Sequence, residues 1–344
     1  MGIDVVILSR GRERELSTTL NRLASTDLQI VVMHNNPTRI PARFLADNIT
    51  YVFCPGENFG IRAARATEYL KSEFCVISAD DDGLIECELF RMEKFLRENE
   101  NFSSVGGIAI GAFPYAKFVA GAIAYREMLG YRNSYTDRIE RIKNHLTPPG
   151  SSNLPRTALY RLSRRELTVK LLEALGESSK VGTPYIYEVT AEIVSAWAGN
   201  TIYINCPYWI RNWKNQMISN GDWNRQYGFD SWWKDFGRDK ERDHYVEFLS
   251  SFLDLDKQFM IDLLDDYAST WGKVFRVPNE QRSRVNWKFG RSSLQAISNN
   301  LRPSNSPTSI EELLSTEFPN LTSESRIEIW EVTQDMFFNT KKSN

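Results

Sequence analysis

Three consecutive carboxylates, Asp80, Asp81 and Asp82, are the residues whose type and spacing point most directly to chemistry. They follow the apolar run 74–79 (FCVISA) and precede Gly83. Like charges this close repel one another, so the arrangement is costly without a cation. Mg²⁺ and Mn²⁺ bind one or two carboxylates and complete their shell with waters and substrate phosphates. The pattern therefore predicts a divalent metal site, and the alternative is an exposed acidic turn or a helix N-cap.

The elements that must position these carboxylates form an alternating pattern in the N-terminal part of the chain. Apolar runs rich in β-branched residues predict strands, and apolar residues at helical spacing predict helices between them. The predicted strands are 3–8, 28–33, 49–53 and 74–79, and the predicted helices are 16–24, 60–71 and 86–99. This alternation is typical of right-handed crossovers in a mainly parallel sheet. Ligands bind beyond the carboxyl ends of such strands, so the loops 9–14, 34–38, 54–60 and 80–83 are expected to meet at the site.

Three motifs occur in these loops and the helices that follow them: 7–16 (ILSRGREREL), 58–65 (NFGIRAAR) and 76–83 (VISADDDG). In order and spacing they resemble the GT-A glycosyltransferases, in particular the bacterial inverting enzymes that use nucleotide sugars, with Arg12 at the family's arginine. A weaker resemblance continues through 157–166 (TALYRLSRRE) and 184–211. The resemblance implies an α/β fold of the GT-A type, a Rossmann-like, mainly parallel sheet flanked by helices.

The resemblance also implies roles for single residues. It places Asp80 on the ribose side of a bound nucleotide, makes Asp80 and Asp82 the ligands of Mn²⁺ or Mg²⁺, and leaves Asp81 as support between them. Where the family has an Asp after the second strand, this chain has His34 and Asn35. Guanidinium groups suit phosphate recognition. The residues expected to bind the nucleotide are Ser9, Arg10, Arg12, His34, Asn35, Asn58, Gly60, Arg65, Asp80 and Asp81.

An inverting transferase needs a general base that takes the proton of the acceptor hydroxyl. Glu188 and Glu192 lie four residues apart on a predicted helix and therefore share one helix face. Glu188 lies eleven residues before Gly199, a spacing similar to that of the family's acidic residue, so we favour Glu188 over Glu192. The alternative is that both are solvated helix carboxylates. Inversion itself is implied by the resemblance alone.

Composition excludes several classes of protein. With 42 basic and 44 acidic residues the net charge is −2, which gives no field that would gather nucleic acid or an anionic membrane. The four cysteines lack CxxC spacing and are expected to be buried free thiols in a reducing cytoplasm. The sequence shows neither a signal peptide nor a long uninterrupted apolar run, so we expect a soluble, cytoplasmic protein. Peripheral membrane contact through Arg211, Trp213 and Lys214 is an open alternative, as is the oligomeric state.

The tryptophans predict how the chain is divided. All nine lie in the second half, and near residue 210 the composition changes to aromatic, charged and helical segments. We therefore expect a catalytic domain over 1–210 and a helical, Trp-rich region over 211–344. The tryptophans between 209 and 233 have two interpretations, the core of that helical region or a wall on which acceptor sugars stack.

The function predicted from these features is transfer of a sugar, of the hexosyl class, from a UDP- or GDP-sugar to a hydroxyl of a saccharide or glycolipid. The resemblance suggests glycan or surface-polysaccharide synthesis. A nucleotidyltransferase is the nearest alternative enzyme, but it normally carries a Gly-rich N-terminal loop and residues 8–16 contain only Gly11. A non-catalytic carbohydrate-binding protein of the same fold is the other alternative. The three retained aspartates argue against it, because such a protein gains nothing from their mutual repulsion.

Overall fold

The computed structural model of the chain describes residues 2–36, 41, 46–115, 118–147, 157–184, 186–214, 228–275 and 308–338. The strands are β1 (Ile3–Ser9), β2 (Gln29–His34), β3 (Ile49–Phe53), β4 (Phe74–Ser78), β5 (Gly83–Leu84), β6 (Phe102–Gly106), β7 (Ala109–Tyr115), β8 (Phe118–Ala124), β9 (Arg132–Asn133), β10 (Leu162–Arg164), β11 (Asn200–Tyr203) and β12 (Trp209–Asn212). The α-helices are α1 (Glu13–Leu23), α2 (Phe59–Ala66), α3 (Glu86–Glu98), α4 (Arg138–Leu146), α5 (Arg165–Ser178), α6 (Ile186–Ala198), α7 (Phe229–Trp233), α8 (Asp239–Leu253), α9 (Lys257–Phe275), α10 (Ile310–Glu317) and α11 (Ser323–Phe337).

The larger of the two sheets has the strand order β3-β2-β1-β4-β10-β6-β11-β9. Strands β3, β2, β1 and β4 run parallel, and β10 is antiparallel to both of its neighbours. In this register Ser9 pairs with His34, and Ile7 pairs with Ser78. The carboxyl ends of β1, β2 and β4 therefore lie side by side, as the alternating sequence pattern predicted.

Side-chain alternation places a hydrophobic core on each face of this sheet. In β1, Ile3, Val5 and Ile7 belong to the core that includes Leu16 and Leu20 of α1. Val6 belongs to the opposite core, which includes helices α2, α5 and α6. Because both faces are covered, the predicted strands 3–8, 28–33 and 74–79 read as continuous apolar runs. The α/β class, with a mostly parallel sheet flanked by helices, is confirmed.

A second, smaller sheet has the order β5-β12-β7-β8 and begins directly after the acidic turn. Its strand β5 contains Gly83 and Leu84, which pair antiparallel with Ile210 and Trp209 of β12. The short β5 therefore joins the residues after Asp82 to a strand that is distant in sequence.

The C-terminal region is helical where it is described, and its helices share cores with the rest of the chain. Trp232, Trp233 and Tyr245 are buried in the core that contains α5 and α6. Ile310 and Ile329, in α10 and α11, are buried against the smaller sheet. The predicted boundary at residue 210 falls inside β12, and a division into 1–210 and 211–344 stays a prediction. Within the described residues, no helix is both long enough and apolar enough to cross a membrane.

Helix α11 also braces the start of α3, close to the acidic turn. The Glu328 carboxylate accepts hydrogen bonds from the backbone N–H groups of Glu86 and Cys87, the latter at 3.0 Å. The residue before α3, Ile85, offers no side-chain cap, so Glu328 supplies the cap from another helix. A side chain on Gly83 would meet Val332 and Met336 of α11 at 2.4 and 2.9 Å, which explains the glycine after the aspartates.

A buried polar network lies around Glu192 on α6. One carboxylate oxygen, Oε2, accepts from Arg161 Nη2 at 2.8 Å and lies 2.6 Å from His145 Nε2. The other, Oε1, accepts from the Ala158 backbone N–H at 2.9 Å. Burial alone would raise the pKa of Glu192, but the charge of Arg161 and the hydrogen bond from His145 lower it to about 2. Glu192 is therefore an ionised anchor for the turn at 157–161.

We predict that Glu192→Gln lowers the free energy of unfolding by about 3–5 kcal/mol at pH 7, because Arg161 loses its buried partner. The folded pKa of Glu192 lies below its ordinary value of 4.5, so its stabilisation is complete above that pH and is lost toward pH 2. Denaturant unfolding between pH 7 and pH 2.5 measures this. The variant should lose less stability on acidification than the native chain. The control is Glu173→Gln, at an exposed position. If the two variants lost the same free energy of unfolding between pH 7 and pH 2.5, the assignment of Glu192 would be contradicted.

A second prediction concerns the cap from α11. Glu328→Ala should lower the free energy of unfolding by about 1–2 kcal/mol, because two N–H groups at the start of α3 lose their acceptor. Thermal or denaturant unfolding measures the change. Glu331→Ala, on the exposed face of the same helix, is the control and should stay within about 0.5 kcal/mol. Equal effects of the two substitutions would show that Glu328 does not cap α3.

Candidate functional site

The site is built on the turn Asp80–Asp82, which follows β4 at the carboxyl edge of the sheet. All three aspartates are buried. The Asp80 carboxylate accepts from Ser9 Oγ at 2.8 Å and from the Arg10 backbone N–H at 3.3 Å, so the loop after β1 wraps around it. Thr19 of α1 donates to the Asp80 carbonyl at 3.0 Å. The parallel register of β1 and β4 thus brings together residues that are about seventy positions apart.

The Arg12 guanidinium contacts this turn directly. Its Nη1 lies 2.6 Å from an Asp81 oxygen and 3.3 Å from an Asp80 oxygen. Burial alone would lower the pKa of Arg12, but the charges of Asp81 and Asp80 raise it above its ordinary value. The Arg12 side chain remains 36% exposed, so the guanidinium can also meet a ligand at the mouth of the site.

Asp82 faces the other side of the turn, toward β12. Its Oδ2 accepts from Trp209 Nε1 at 2.8 Å, and its Oδ1 accepts from the Asn212 backbone N–H at 2.9 Å. Burial, followed by the charge of Asp81, raises the pKa of Asp82 to about 7 and that of Asp80 to about 6. Arg211 acts in the opposite direction on Asp82. Burial is therefore the main cause of both raised pKa values, and the charge of Asp81 adds to it.

The donor chemistry of the turn fits a hard divalent cation. Carboxylate oxygens are the ligands that Mg²⁺ and Mn²⁺ prefer, and an oxygen that accepts one hydrogen bond keeps a second lone pair. In the part of the chain that the structure describes, no three His, Cys, Asp or Glu side chains form a group that could hold a metal by themselves. Asp80 and Asp82 thus offer a partial shell of the kind that waters and substrate phosphates complete.

The loop after β2 is held by its own side chains. Asn35 donates to the Glu57 carbonyl at 2.5 Å and accepts from the Gly56 N–H at 2.8 Å, so its amide ties this loop to the one after β3. His34 is buried with Nδ1 2.5 Å from the Tyr51 hydroxyl, and its Nε2 has no hydrogen-bond partner among the described residues. Burial lowers the pKa of His34, which keeps the imidazole neutral.

The predicted residues of the α2 region have local partners as well. Asn58 caps α2 by accepting from the Ile61 N–H at 2.9 Å, and Arg65 pairs with a Glu57 oxygen at 2.7 Å. A side chain on Gly60 would approach the Leu175 carbonyl of α5 to 2.3 Å, so the glycine permits close helix packing. Nucleotide contacts by these three residues and by His34 and Asn35 stay predictions.

Arg62 is a site-supporting residue that the motifs did not single out. It is buried, and its Nη1 donates to the carbonyls of Ser9 at 2.6 Å and Met33 at 3.0 Å. This side chain joins the carboxyl ends of β1 and β2 directly beneath the loops of the site. Its position four residues after the Asn58 cap was the one available signal in the sequence.

The two candidate bases lie in different environments. Glu192 is buried, and both of its oxygens are engaged by the network around it. Glu188, one turn earlier on α6, is exposed. Tyr160 interacts electrostatically with Glu188 and with all three aspartates. This geometry favours Glu188 over Glu192 as the candidate base, and the role stays a prediction.

Aromatic residues line the Asp82 side of the site, and sequence reasoning missed two of them, Tyr125 and Tyr160. The rings of Tyr160 and Trp209 stack at 4.2 Å, and Tyr125 stacks on Trp209 at 6.0 Å. The Arg211 guanidinium lies 5.0 Å from the Tyr125 ring centre, so Arg211 belongs to this stack. Trp232 and Trp233 are core residues, whereas Trp223 and Trp287 lie outside the described residues. Membrane contact through Arg211, Trp213 and Lys214 stays a prediction.

Comparison with known proteins places the fold. No protein-family model and no curated protein matches the sequence. Among solved structures, S. aureus TarS in complex with UDP-GlcNAc is 12% identical over 87% of this chain and 80% of that chain, with a TM-score of 0.51. TarS in complex with UDP is 10% identical over 98% and 90%, with a TM-score of 0.47. At this identity the first likeness concerns the fold alone, and it shows that the α/β architecture is of the GT-A type with a helical C-terminal region.

Proposed function

We propose that the chain is a glycosyltransferase that moves a sugar from a nucleoside diphosphate to an acceptor hydroxyl with the help of Mn²⁺ or Mg²⁺. The observation that carries this proposal is the buried acidic turn at the carboxyl edge of a GT-A sheet. The pKa values of its residues Asp80 and Asp82 are raised, first by burial and then by the charge of Asp81. A divalent cation held by these carboxylates would stabilise their ionised form and supply positive charge to a diphosphate.

On the donor side, Asp80 and Asp82 would hold the metal. A bound ion would supply positive charge against the negative charge that develops on the nucleoside diphosphate as the anomeric bond breaks. Ser9 and the Arg10 backbone N–H fix the Asp80 carboxylate, and Arg12 fixes Asp81. Support for a nucleotide-sugar donor also comes from TarS, whose structure of the same fold was determined in complex with UDP-GlcNAc. UDP- and GDP-sugars are the donors we propose.

On the acceptor side, we propose Glu188 as the base of an inverting displacement. The acceptor oxygen bonds to the anomeric carbon, the bond from that carbon to the diphosphate oxygen breaks, and the hydroxyl proton passes to Glu188. Glu188 lies in the first turn of α6 and is exposed, so it can reach an incoming hydroxyl. The proposed acceptor is a saccharide or glycolipid, in cytoplasmic synthesis of a glycan or surface polysaccharide.

The first test concerns the metal. We expect Mn²⁺ to strengthen binding of UDP or GDP by at least about tenfold over EDTA, because the ion bridges carboxylates and phosphates. Asp82→Ala should remove this enhancement without unfolding the protein. Isothermal titration with UDP, GDP, UDP-GlcNAc and GDP-mannose measures it, and the exposed Asp243→Ala is the control. Equal affinity of the native protein for UDP or GDP in Mn²⁺ and in EDTA would refute the metal site. In a separate assay, exchange of pyrophosphate into a nucleoside triphosphate would indicate a nucleotidyltransferase instead.

The second test concerns the base. Glu188→Gln should slow release of the nucleoside diphosphate by about 10²-fold or more, with water or a soluble saccharide as acceptor, because the amide cannot take a proton. Donor affinity should stay nearly unchanged, since a base contacts the incoming hydroxyl. Glu173→Gln, an exposed position on α5, is the matched control and should leave the rate unaltered. A fully active Glu188→Gln protein would remove Glu188 from the mechanism.

A further inference from the structure

Tyr160 occupies a position in the site that neither the metal nor the base explains. It lies at the end of the short helical turn 158–160, just before β10. Its phenol interacts electrostatically with Asp82, Glu188, Asp81 and Asp80. Among the described residues, no hydrogen bond to the Tyr160 hydroxyl is present. A polar group at the centre of the site thus keeps its donor and acceptor capacity for a ligand.

The Tyr160 ring is fixed from several directions. It stacks on Trp209 with a centroid distance of 4.2 Å and an interplanar angle of 18°. The Trp209 indole in turn donates to Asp82, so Trp209 connects the Tyr160 ring to the acidic turn. The Tyr160 carbonyl accepts from the Tyr208 hydroxyl at 2.6 Å, and the turn is tied to Glu192 through the Ala158 N–H. Such a supported side chain loses little conformational freedom when it binds a ligand.

The two sides of the acidic turn offer different partners to a donor. Asp80 faces the loop of Ser9, Arg10 and Arg12, whose positive charge suits phosphates. Asp82 faces the buried Trp209, on which the half-buried Tyr160 stacks, so the group that this side can offer to a ligand is the Tyr160 ring with its neutral hydroxyl. Sugars are bound by that combination of stacking surface and hydrogen-bonding groups. In a displacement, moreover, the reacting sugar must lie between the leaving diphosphate and the base.

We infer that Tyr160 is a sugar-binding residue, whose phenol donates a hydrogen bond to a hydroxyl of the transferred sugar and holds its anomeric carbon between the acidic turn and Glu188. The inference rests on the proposed function, because it assumes a nucleotide-sugar donor at the turn. A tyrosine phenol is protonated throughout the neutral range, so Tyr160 can act as a hydrogen-bond donor there.

The test separates the sugar from the nucleotide. Tyr160→Phe keeps the ring and its stacking on Trp209 but removes the hydroxyl. We expect affinity for the nucleotide sugar that the native protein binds best, from UDP-GlcNAc, UDP-glucose and GDP-mannose, to fall about five- to twentyfold. Affinity for the matching UDP or GDP should change less than about twofold. The surface substitution Tyr135→Phe removes the same hydroxyl elsewhere and should leave both affinities intact.

Each outcome distinguishes the two proposals. If the native protein binds no nucleotide sugar, the proposed function fails and this inference fails with it. If it binds one and Tyr160→Phe lowers affinity for the nucleotide sugar and the nucleoside diphosphate equally, or lowers neither, only the assignment of Tyr160 is overturned. Thermal unfolding of Tyr160→Phe within about 2 °C of the native protein shows that a changed affinity is not a folding defect.

Discussion

The mutual repulsion of three adjacent, buried aspartates is the constraint on which the rest of the site depends. Each carboxylate is held by its own donors. Ser9 and Arg10 donate to Asp80, and Arg12 pairs with Asp80 and Asp81. Trp209 and Asn212 donate to Asp82. These donors orient the carboxylates, while burial and the charge of Asp81 keep the pKa values of Asp80 and Asp82 raised. Carboxylates that are buried and oriented in this way suit a divalent cation and its anionic ligand.

The same constraint explains why distant parts of the chain converge on this turn. Strand β12 provides the donors to Asp82 and pairs with β5, the two residues that follow the turn. Helix α11 packs against Gly83 and caps α3, so the C-terminal region supports the residues that directly follow the turn. The network around Glu192 holds the turn at 157–161 and with it Tyr160. One ionised anchor, Glu192, thereby positions an aromatic group, while Glu188 on the same helix stays open to solvent.

Sequence patterns predicted the strands and helices of the N-terminal part of the sheet, because these depend on residues that are close together in the chain. The β-branched runs identified β1 to β4, and strand–helix alternation predicted that their carboxyl ends meet, which placed Asp80–Asp82 beside Ser9. The smaller sheet and the shared cores of the C-terminal helices were not predicted, because β12 and α11 find their partners far away in sequence. The contrast between Glu188 and Glu192 also depends on Arg161 and His145, which no helix-face argument contains. Tyr160 lies in the segment 157–166, but the resemblance assigned it no role, because its position in the site depends on the stack with Trp209.

The central claim is that the acidic turn holds a divalent ion together with the diphosphate of a nucleotide sugar. Anomalous scattering at the manganese edge, from crystals grown with Mn²⁺ and the nucleotide sugar of highest affinity, tests it most directly. The account predicts a manganese peak about 2.0–2.3 Å from a carboxylate oxygen of Asp82 or Asp80, with diphosphate oxygens in the same shell. A nucleotide whose diphosphate lies away from the turn, or a turn without manganese in a nucleotide-bound crystal, would contradict it.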